Sequence, residues 1–357
     1  MKQKLLLLHE ELKYYRVPTW NILTEKYDVT LGYVTKDLAG NQQCLFHKKK
    51  FEYYKIGPFK IIKGFRKFAR QFDIIVATTN PFLLNFCFSP LICRKLPTVS
   101  WSIGFRCSYK NPYLVDRKHT IVDWYYKKID ELFDANIFYM EKAKEFWKGT
   151  NLNMNKVFVA PNTTEVEQVD FIPEEKKNIL FVGTLYKGKG LDLLIGAFKE
   201  AISKVESISK LVIVGGGEMR EELDKYVKEN NIEDKVEFTG SIFDEKILCK
   251  YFQQALLCVS PTQGGLTCPK SMGYGVPFVC RKDAITGGEI YHMTSGENGI
   301  MYDKDSDLTD ILIDALDNPQ KYIEMGARAK EYYNKNATPR HMAQGVLDAV
   351  EYAIKNK

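Results

Sequence analysis

Residues 256–281, LLCVSPTQGGLTCPKSMGYGVPFVCR, read as a buried strand, a Gly-rich loop, a short helix and a second buried strand. Leu256 to Val259 form a short apolar run and Pro261 to Gly265 carry turn chemistry. Gly275 with Pro277 then stops the helix before Phe278 to Cys280 resume a strand pattern. Gly264 and Gly265 let backbone approach closely, and the amides at the helix start, near Leu266 and Thr267, offer unpaired donors at a positive dipole end. Such a unit suits an anion, although a glycine pair also serves simple turn geometry.

Two further segments repeat the arrangement. NILFVGTLYKGKGLDLL (Asn178 to Leu194) runs from an apolar strand into a loop bearing Gly183, Lys187, Gly188, Lys189 and Gly190, then into an amphipathic helix. LVIVGGGEMREE (Leu211 to Glu222) places Gly215, Gly216 and Gly217 between strand and helix. Three glycine-punctuated strand ends imply a parallel sheet whose carboxyl edge forms one crevice. The earlier half alternates strand and helix patterns as well, with strands at Lys4 to Leu8, Val29 to Val34, Ile74 to Ala77, Thr98 to Trp101, Ala135 to Tyr139 and Lys156 to Ala160. Between the halves, Pro161 to Lys177 is polar and reads as a linker. The chain therefore divides into residues 1–165, residues 166–335 and a terminal helix over 336–357, with Thr338 as its cap and Pro339 at its first position.

The 357 residues, 45% hydrophobic and 27% charged, suit a globular protein of two domains. Eight cysteines without a Cys-x-x-Cys pair indicate neither a zinc site nor a disulfide framework, which fits a reducing cytoplasm. The leucine run after Lys4 stops at His9-Glu10-Glu11, too soon for a signal peptide. Ile74 to Cys93 is uncharged for 20 residues, but Pro81, Pro90, Asn80 and Asn85 make it a buried strand, a turn and an apolar helix rather than a membrane span.

Charge is divided unevenly. Residues 1–170 hold 27 Lys and Arg against 17 Asp and Glu, so the first half is basic and the second acidic. Nine of those cations fall between Lys48 and Arg70, interleaved with Phe51, Tyr53, Tyr54, Phe59, Phe65 and Phe68 and opposed by Glu52 alone. This mixture suits docking on an anionic membrane surface; the alternative is a solvated helix face with core aromatics. Nucleic acid is not expected, because no nucleic-acid motif accompanies the patch.

With these residues in hand, the chain resembles the GT-B glycosyltransferases of family 4, the glycosyltransferase group 1 enzymes that use nucleotide-sugar donors with retention. VGTLYKGKGLDLL, VIVGGGEMREEL, VEFTG and GGEIYHMTSGENGIMY carry the likeness in the second half; YRVPTWNIL, SWSIGF, FYMEKAKEF and VAPNTTE resemble the subgroup that builds bacterial surface polysaccharides. The resemblance implies two Rossmann-like doubly wound parallel-sheet domains facing across a cleft. The first would hold a lipid-linked or glycan acceptor and the second a UDP- or GDP-linked sugar, on the inner face of the cell membrane.

By the same resemblance, Gly183, Thr184, Lys187, Lys189, Gly215, Gly216, Gly264, Gly265, Leu266, Thr267, Lys270 and Glu289 are expected at the donor. Arg16, Trp101, Gly104 and Tyr139 are expected at the acceptor, with His9 as the catalytic candidate. Each has a plainer structural reading as a solvated lysine, a core ring or a helix-terminal carboxylate. The pattern departs from the family at Thr262 and Lys270, where two glutamates are usual, at Thr184, where an arginine is usual, and at Ile103 for a histidine. Lys270 donates only, so it is unable to accept from ribose hydroxyls. No metal or other cofactor is expected, and the Asp303, Asp305 and Asp307 run reads as a solvated helix start. Two rivals remain open: a non-catalytic relative that binds a nucleotide-sugar or a partner, and a nucleotide-sugar 2-epimerase, for which too few acid and base residues stand in place.

Overall fold

Leu5, Leu6, Leu7 and Leu8 are all fully buried, as a strand covered on both faces requires. In the computed structural model, which describes residues 1–105, 118–167, 176–206 and 208–357, that strand is central to a first unit made of residues 1–105, 118–164 and 338–357. Its main strands are β1 (Lys4–His9), β2 (Asp28–Tyr33), β3 (His47–Lys50), β4 (Tyr53–Ile56), β5 (Phe59–Ile62), β6 (Ile74–Thr78), β7 (Thr98–Trp101), β8 (Ala135–Phe138) and β9 (Val157–Val159). Seven of them form one sheet in the order β9-β8-β7-β6-β1-β2-β3, with every pairing parallel.

Side chains alternate across this sheet. Leu5 and Leu7 join a core with Trp20 and Leu23 of the helix Val17–Leu23 and with Met342, Val346 and Ala349 of the helix Pro339–Lys355. Leu6 and Leu8 join the opposite core with Phe65, Phe86 and Ile129. The terminal helix is seated through Gly345, where a Cβ would lie 2.1 Å from the Val159 carbonyl oxygen. Its start is capped by Thr338, whose hydroxyl accepts from the His341 amide at 3.4 Å.

The apolar stretch Ile74 to Cys93 becomes β6 followed by two four-residue helices, Leu84–Cys87 and Ser89–Ile92. Among the described residues no helix is long and apolar enough to cross a membrane. The basic segment is not a helix face. Lys48 to Lys50 lie on the edge strand β3, and β4 and β5 pair as a separate antiparallel hairpin before the five-residue helix Phe65–Ala69. Phe51 and Phe65 are core, whereas Tyr54 and Ile56 are each 60% exposed. The rings of the hairpin itself, Tyr53, Tyr54 and Phe59, are all exposed, and the buried ones flank it, so the hairpin stands out from rings the sequence presents as one run.

The second unit covers residues 165–167 and 176–337 of those described. Strands β10 (Asn178–Val182), β11 (Leu211–Val214), β12 (Val236–Gly240), β13 (Ala255–Val259), β14 (Phe278–Arg281) and β15 (Gly299–Tyr302) pair in parallel in the order β12-β11-β10-β13-β14-β15. Ile179, Phe181, Leu211 and Ile213 face one core, and Leu180, Val212 and Cys258 face the other. Both units are thus doubly wound parallel sheets. Of the predicted linker, residues 168–175 lie outside the described residues, as does Cys107.

Candidate functional site

In an open parallel sheet the loops at the carboxyl ends of two neighbouring strands diverge where the strand order reverses, and a crevice opens there. In the second unit the reversal falls between β10 and β13, and the loops that follow them are Gly183 to Gly190 and Ser260 to Leu266. The two loops are tied together. Thr262 donates its hydroxyl proton to the Gly188 carbonyl at 2.6 Å, Gln263 Nε2 donates to the Tyr186 hydroxyl, and Thr267 donates to the Val182 carbonyl at 3.2 Å. A short parallel ladder, Gln263–Gly264 with Ile285–Thr286, fixes the second loop from its other side.

This arrangement holds Lys189 half-buried, and burial lowers its ammonium to about 8, the Glu289 carboxylate opposing that shift. Glu289 is itself buried, accepting from Thr286 Oγ1 at 2.9 Å and from the Gly287 amide at 2.7 Å. Beside the loop begins the helix Thr267–Gly273, whose cap residue Leu266 offers no side-chain oxygen and whose first turn has no acid. Its first amides are therefore unpaired by side chains and carry positive potential. Thr184, Leu185, Tyr186, Gly188, Glu218, Gln263 and Ile285 line a cavity of about 520 Å³.

Several predicted donor contacts prove to be committed elsewhere. A Cβ on Gly215 would lie 1.8 Å from the Gly183 carbonyl oxygen, and one on Gly216 2.8 Å from Ser241 Oγ, so both glycines answer to loop packing. Gly264 has a similar reason, since a Cβ there would lie 1.9 Å from Ile290 Cγ2, whereas Gly265 meets nothing within 4 Å. Lys187 is exposed. Lys270 forms an ion pair with Glu245 and is only 12% exposed, so its ammonium is not available to a phosphate. We expect Lys270→Met to lower stability by about 1–2 kcal/mol, by leaving Glu245 with the Tyr274 hydroxyl but no cation, and to change nucleotide affinity less than twofold. A tenfold loss of affinity in a titration calorimeter would instead return Lys270 to the donor site.

In the first unit the order reverses between β1 and β6, and there too a cavity opens, of about 540 Å³. The ends of the central strands build its wall: His9 and Glu10 after β1, Thr78 to Phe82 after β6, Trp101 to Phe105 after β7 and Tyr139 after β8, with Arg16 and Trp20 from the first helical segment. His9, Arg16, Trp101, Gly104 and Tyr139, the five residues expected on this side, therefore meet in one place.

The catalytic expectation for His9 changes. Its ring packs at 5.0 Å from Trp20 and 5.2 Å from Trp101, and burial first, then Arg16 and Lys13, lower it to about 3. Such an imidazole stays neutral at neutral pH, where it is a poor proton acceptor. Trp101 is 1% exposed and packs against His9 and Tyr139, so its ring belongs to the core that walls the cavity. Gly104, at φ +98°, answers to packing: a Cβ would lie 2.5 Å from Ala143 Cβ, and its carbonyl accepts from Trp147 Nε1 at 2.5 Å.

The sequence reading missed Trp20, Thr79 and Asp130 in this cavity and Glu218, Tyr186 and Gln263 in the other. Asp130 left a signal, an acid beside Ile129 on the apolar side of an amphipathic helix. Burial pushes its carboxyl up to about 7.

Residues 162–332 match the family model of the glycosyl transferases group 1. The second unit is a glycosyl transferases group 1 domain. Along 351 residues the chain is 24% identical to an uncharacterized glycosyltransferase of Methanocaldococcus jannaschii, covering 92% of this chain and 81% of that protein. The fold is that of the GT-B glycosyltransferases. An Anabaena protein, HepE, solved with UDP and glucose, superposes with a TM-score of 0.72 at 13% identity over 98% of this chain and 99% of its own. WaaG, a glycosyltransferase involved in lipopolysaccharide biosynthesis, gives 0.64 at 12% identity over 97% and 99%. In this group 1 domain the matched segment contains both loops at the strand reversal, so Lys189 and the start of helix Thr267–Gly273 lie inside it.

Proposed function

We propose that the chain moves a sugar, with retention, from a UDP- or GDP-linked donor bound by the group 1 domain to an acceptor bound by the first unit. The observation that carries this reading is Lys189: a half-buried cation on a glycine loop at the strand reversal, beside a helix start that no side chain caps. A leaving diphosphate would find its charge met by that ammonium and by the amides of Leu266 and Thr267, with no metal or other cofactor called for. HepE, solved with UDP and glucose, supports the donor class.

The acceptor is read as a lipid-linked or glycan chain in bacterial polysaccharide biosynthesis, worked on from the cytoplasmic face of the membrane. The hairpin β4–β5 supports this, because Tyr54, Ile56 and Phe59 are exposed there among Lys49, Lys50, Lys55 and Lys63. Rings at the interface and cations on anionic headgroups would hold the protein peripherally.

A second reading, a nucleotide-sugar-binding partner without transfer, is favoured by one feature. Thr262 and Lys270 are both engaged within the protein, and neither brings a carboxylate. Incubation with UDP- and GDP-sugars and a short-chain lipid phosphate or an oligosaccharide separates the two. Nucleotide release that requires the acceptor, with a product glycoside of the donor's anomeric configuration by NMR, is the expected result. Nucleotide-sugar binding with no turnover on any acceptor would establish the second reading.

A further inference from the structure

Arg16 is 5% exposed, and each of its recorded partners is neutral. Nη2 donates to Tyr139 Oη at 3.2 Å and to Asn162 Oδ1, and Nη1 meets the thioether sulfur of Met342 at 2.8 Å. The guanidinium stacks at 5.2 Å on both Tyr15 and Tyr139. Among the described residues no carboxylate lies within ion-pair distance of it.

Two of the nearby acids are otherwise occupied. Glu10 accepts from Lys60 at 2.8 Å and from Asn80 Nδ2 at 2.8 Å, and Glu11 pairs with Lys13 at 3.6 Å. Asp130, also on the cavity wall, is pushed up to about 7 by burial, with Ser100 and then Lys156 opposing, and at that value it is able to donate a proton to a ligand oxygen. Buried cations are ordinarily paired, because stripping water from a charge costs several kcal/mol. Arg16 is buried without that compensation.

The same cavity gathers polar atoms that have no partner. His9 Nε2, Trp20 Nε1, Trp101 Nε1, Thr79 Oγ1 and Asp130 Oδ1 are buried, belong to residues that line the space with Arg16, and make no hydrogen bond among the described residues. Two of these are obligate indole donors, and a hydroxyl and a neutral imidazole are able to donate or accept. Such orphans are few in a folded protein, and five of the nine found among the described residues surround this one cavity of about 540 Å³, which describes a ligand with several oxygens.

We propose that this cavity is an oxyanion subsite. The acceptor enters with a phosphate against Arg16, and its hydroxyls or remaining phosphate oxygens are met by Trp20, Trp101, Thr79 and His9. This rests on the reading of the first unit as the acceptor-binding one. The shared chemistry is a phosphate monoester, and its source is either a lipid phosphate or a phosphorylated sugar.

Two of the chain's four tryptophans line the cavity, so their fluorescence reports occupancy in the full-length protein. Titrations with glucose 6-phosphate, geranyl phosphate, inorganic phosphate and glucose are compared, and UDP binding is measured separately by thermal shift. At least one phosphate ester should bind ten times or more tighter than glucose; which of the two does so names the source. Arg16→Gln should abolish that preference and Arg16→Lys should restore part of it, with UDP binding unchanged in both. Glucose binding as tightly as the esters, or no binding by any probe, overturns the subsite, and this comparison holds in the unaltered protein even if the Arg16 variants fail to fold. A protein that binds the esters but no nucleotide would overturn the transferase reading and leave the subsite standing.

Discussion

Gly215→Ala is expected to unfold the second unit, or to lower its melting temperature by about 10 °C or more, at roughly 3 °C per kcal/mol for a unit of this size. The new Cβ would stand 1.8 Å from the Gly183 carbonyl oxygen, at a φ of +152° that an L side chain rarely adopts. Relief by a side-chain rotation is impossible, because the obstacle is backbone. The Gly183 amide donates to Val214 O at 3.0 Å and the Leu185 amide to Gly216 O at 3.0 Å, so the two loops extend the sheet ladder as one piece. Separating them means breaking those bonds, and a clash of this kind belongs among the few substitutions that cost about 4 kcal/mol or more.

Gly265→Ala is the matched control. A Cβ there meets nothing within 4 Å, so its melting temperature should stay within about 3 °C of the parent, a change of about 1 kcal/mol or less. Thermal unfolding followed by circular dichroism reads both variants. A Gly215→Ala protein that melts with the parent would mean that the two loops do not touch.

The second large effect concerns Lys189. Replacing it with Met should weaken UDP binding about 10- to 100-fold, the loss expected for one charge-assisted hydrogen bond of about 1.5–3 kcal/mol. The pH dependence has a definite sign. With its ammonium lowered to about 8, Lys189 is charged below that pH and neutral above it, so affinity should fall as pH rises beyond 8. A bound diphosphate favours the charged form, so binding takes up protons over that range. Stability of the empty protein runs the other way: the unfolded lysine holds its proton to about 10.4, so folding gains as pH rises from about 8 toward that value. Calorimetric titration of UDP at pH 7 and pH 9.5, with Lys189→Arg as the variant that keeps its charge at both, separates the effect from general alkaline loss. Equal affinities in the parent at the two pH values would remove Lys189 from the diphosphate.

The elements most legible in the sequence are those whose signal is local. LLCV, NILFV and LVIV announce buried strands because four apolar residues in a row, closed by glycine or by Ser260-Pro261, suit an element covered on both faces. Thr338-Pro339 announces a helix start because the cap needs only a hydroxyl and the first position needs no amide proton. The hairpin β4–β5 was less legible, since KFEYYKIGPFKII fits neither a clean alternation nor a helical period, and only the fold buries Phe51 before the hairpin while leaving Tyr53, Tyr54 and Phe59 exposed on it. The glycines were legible only in part. Their need for space was visible, but that Gly183 and Ile290 are what fill the space beside Gly215 and Gly264 was not.

By itself the sequence determined two doubly wound parallel sheets and the loops that close their strands, because periodicity and turn chemistry act over a few neighbours. What each charged group does was decided only by the tertiary structure. Arg16 takes its contacts from Tyr139, Asn162 and Met342, Lys270 takes its carboxylate from Glu245, and His9 is kept neutral by burial and by the charges of Arg16 and Lys13. Desolvation and ion pairing depend on which distant segments exclude water from a site, and that is fixed only when the chain has folded.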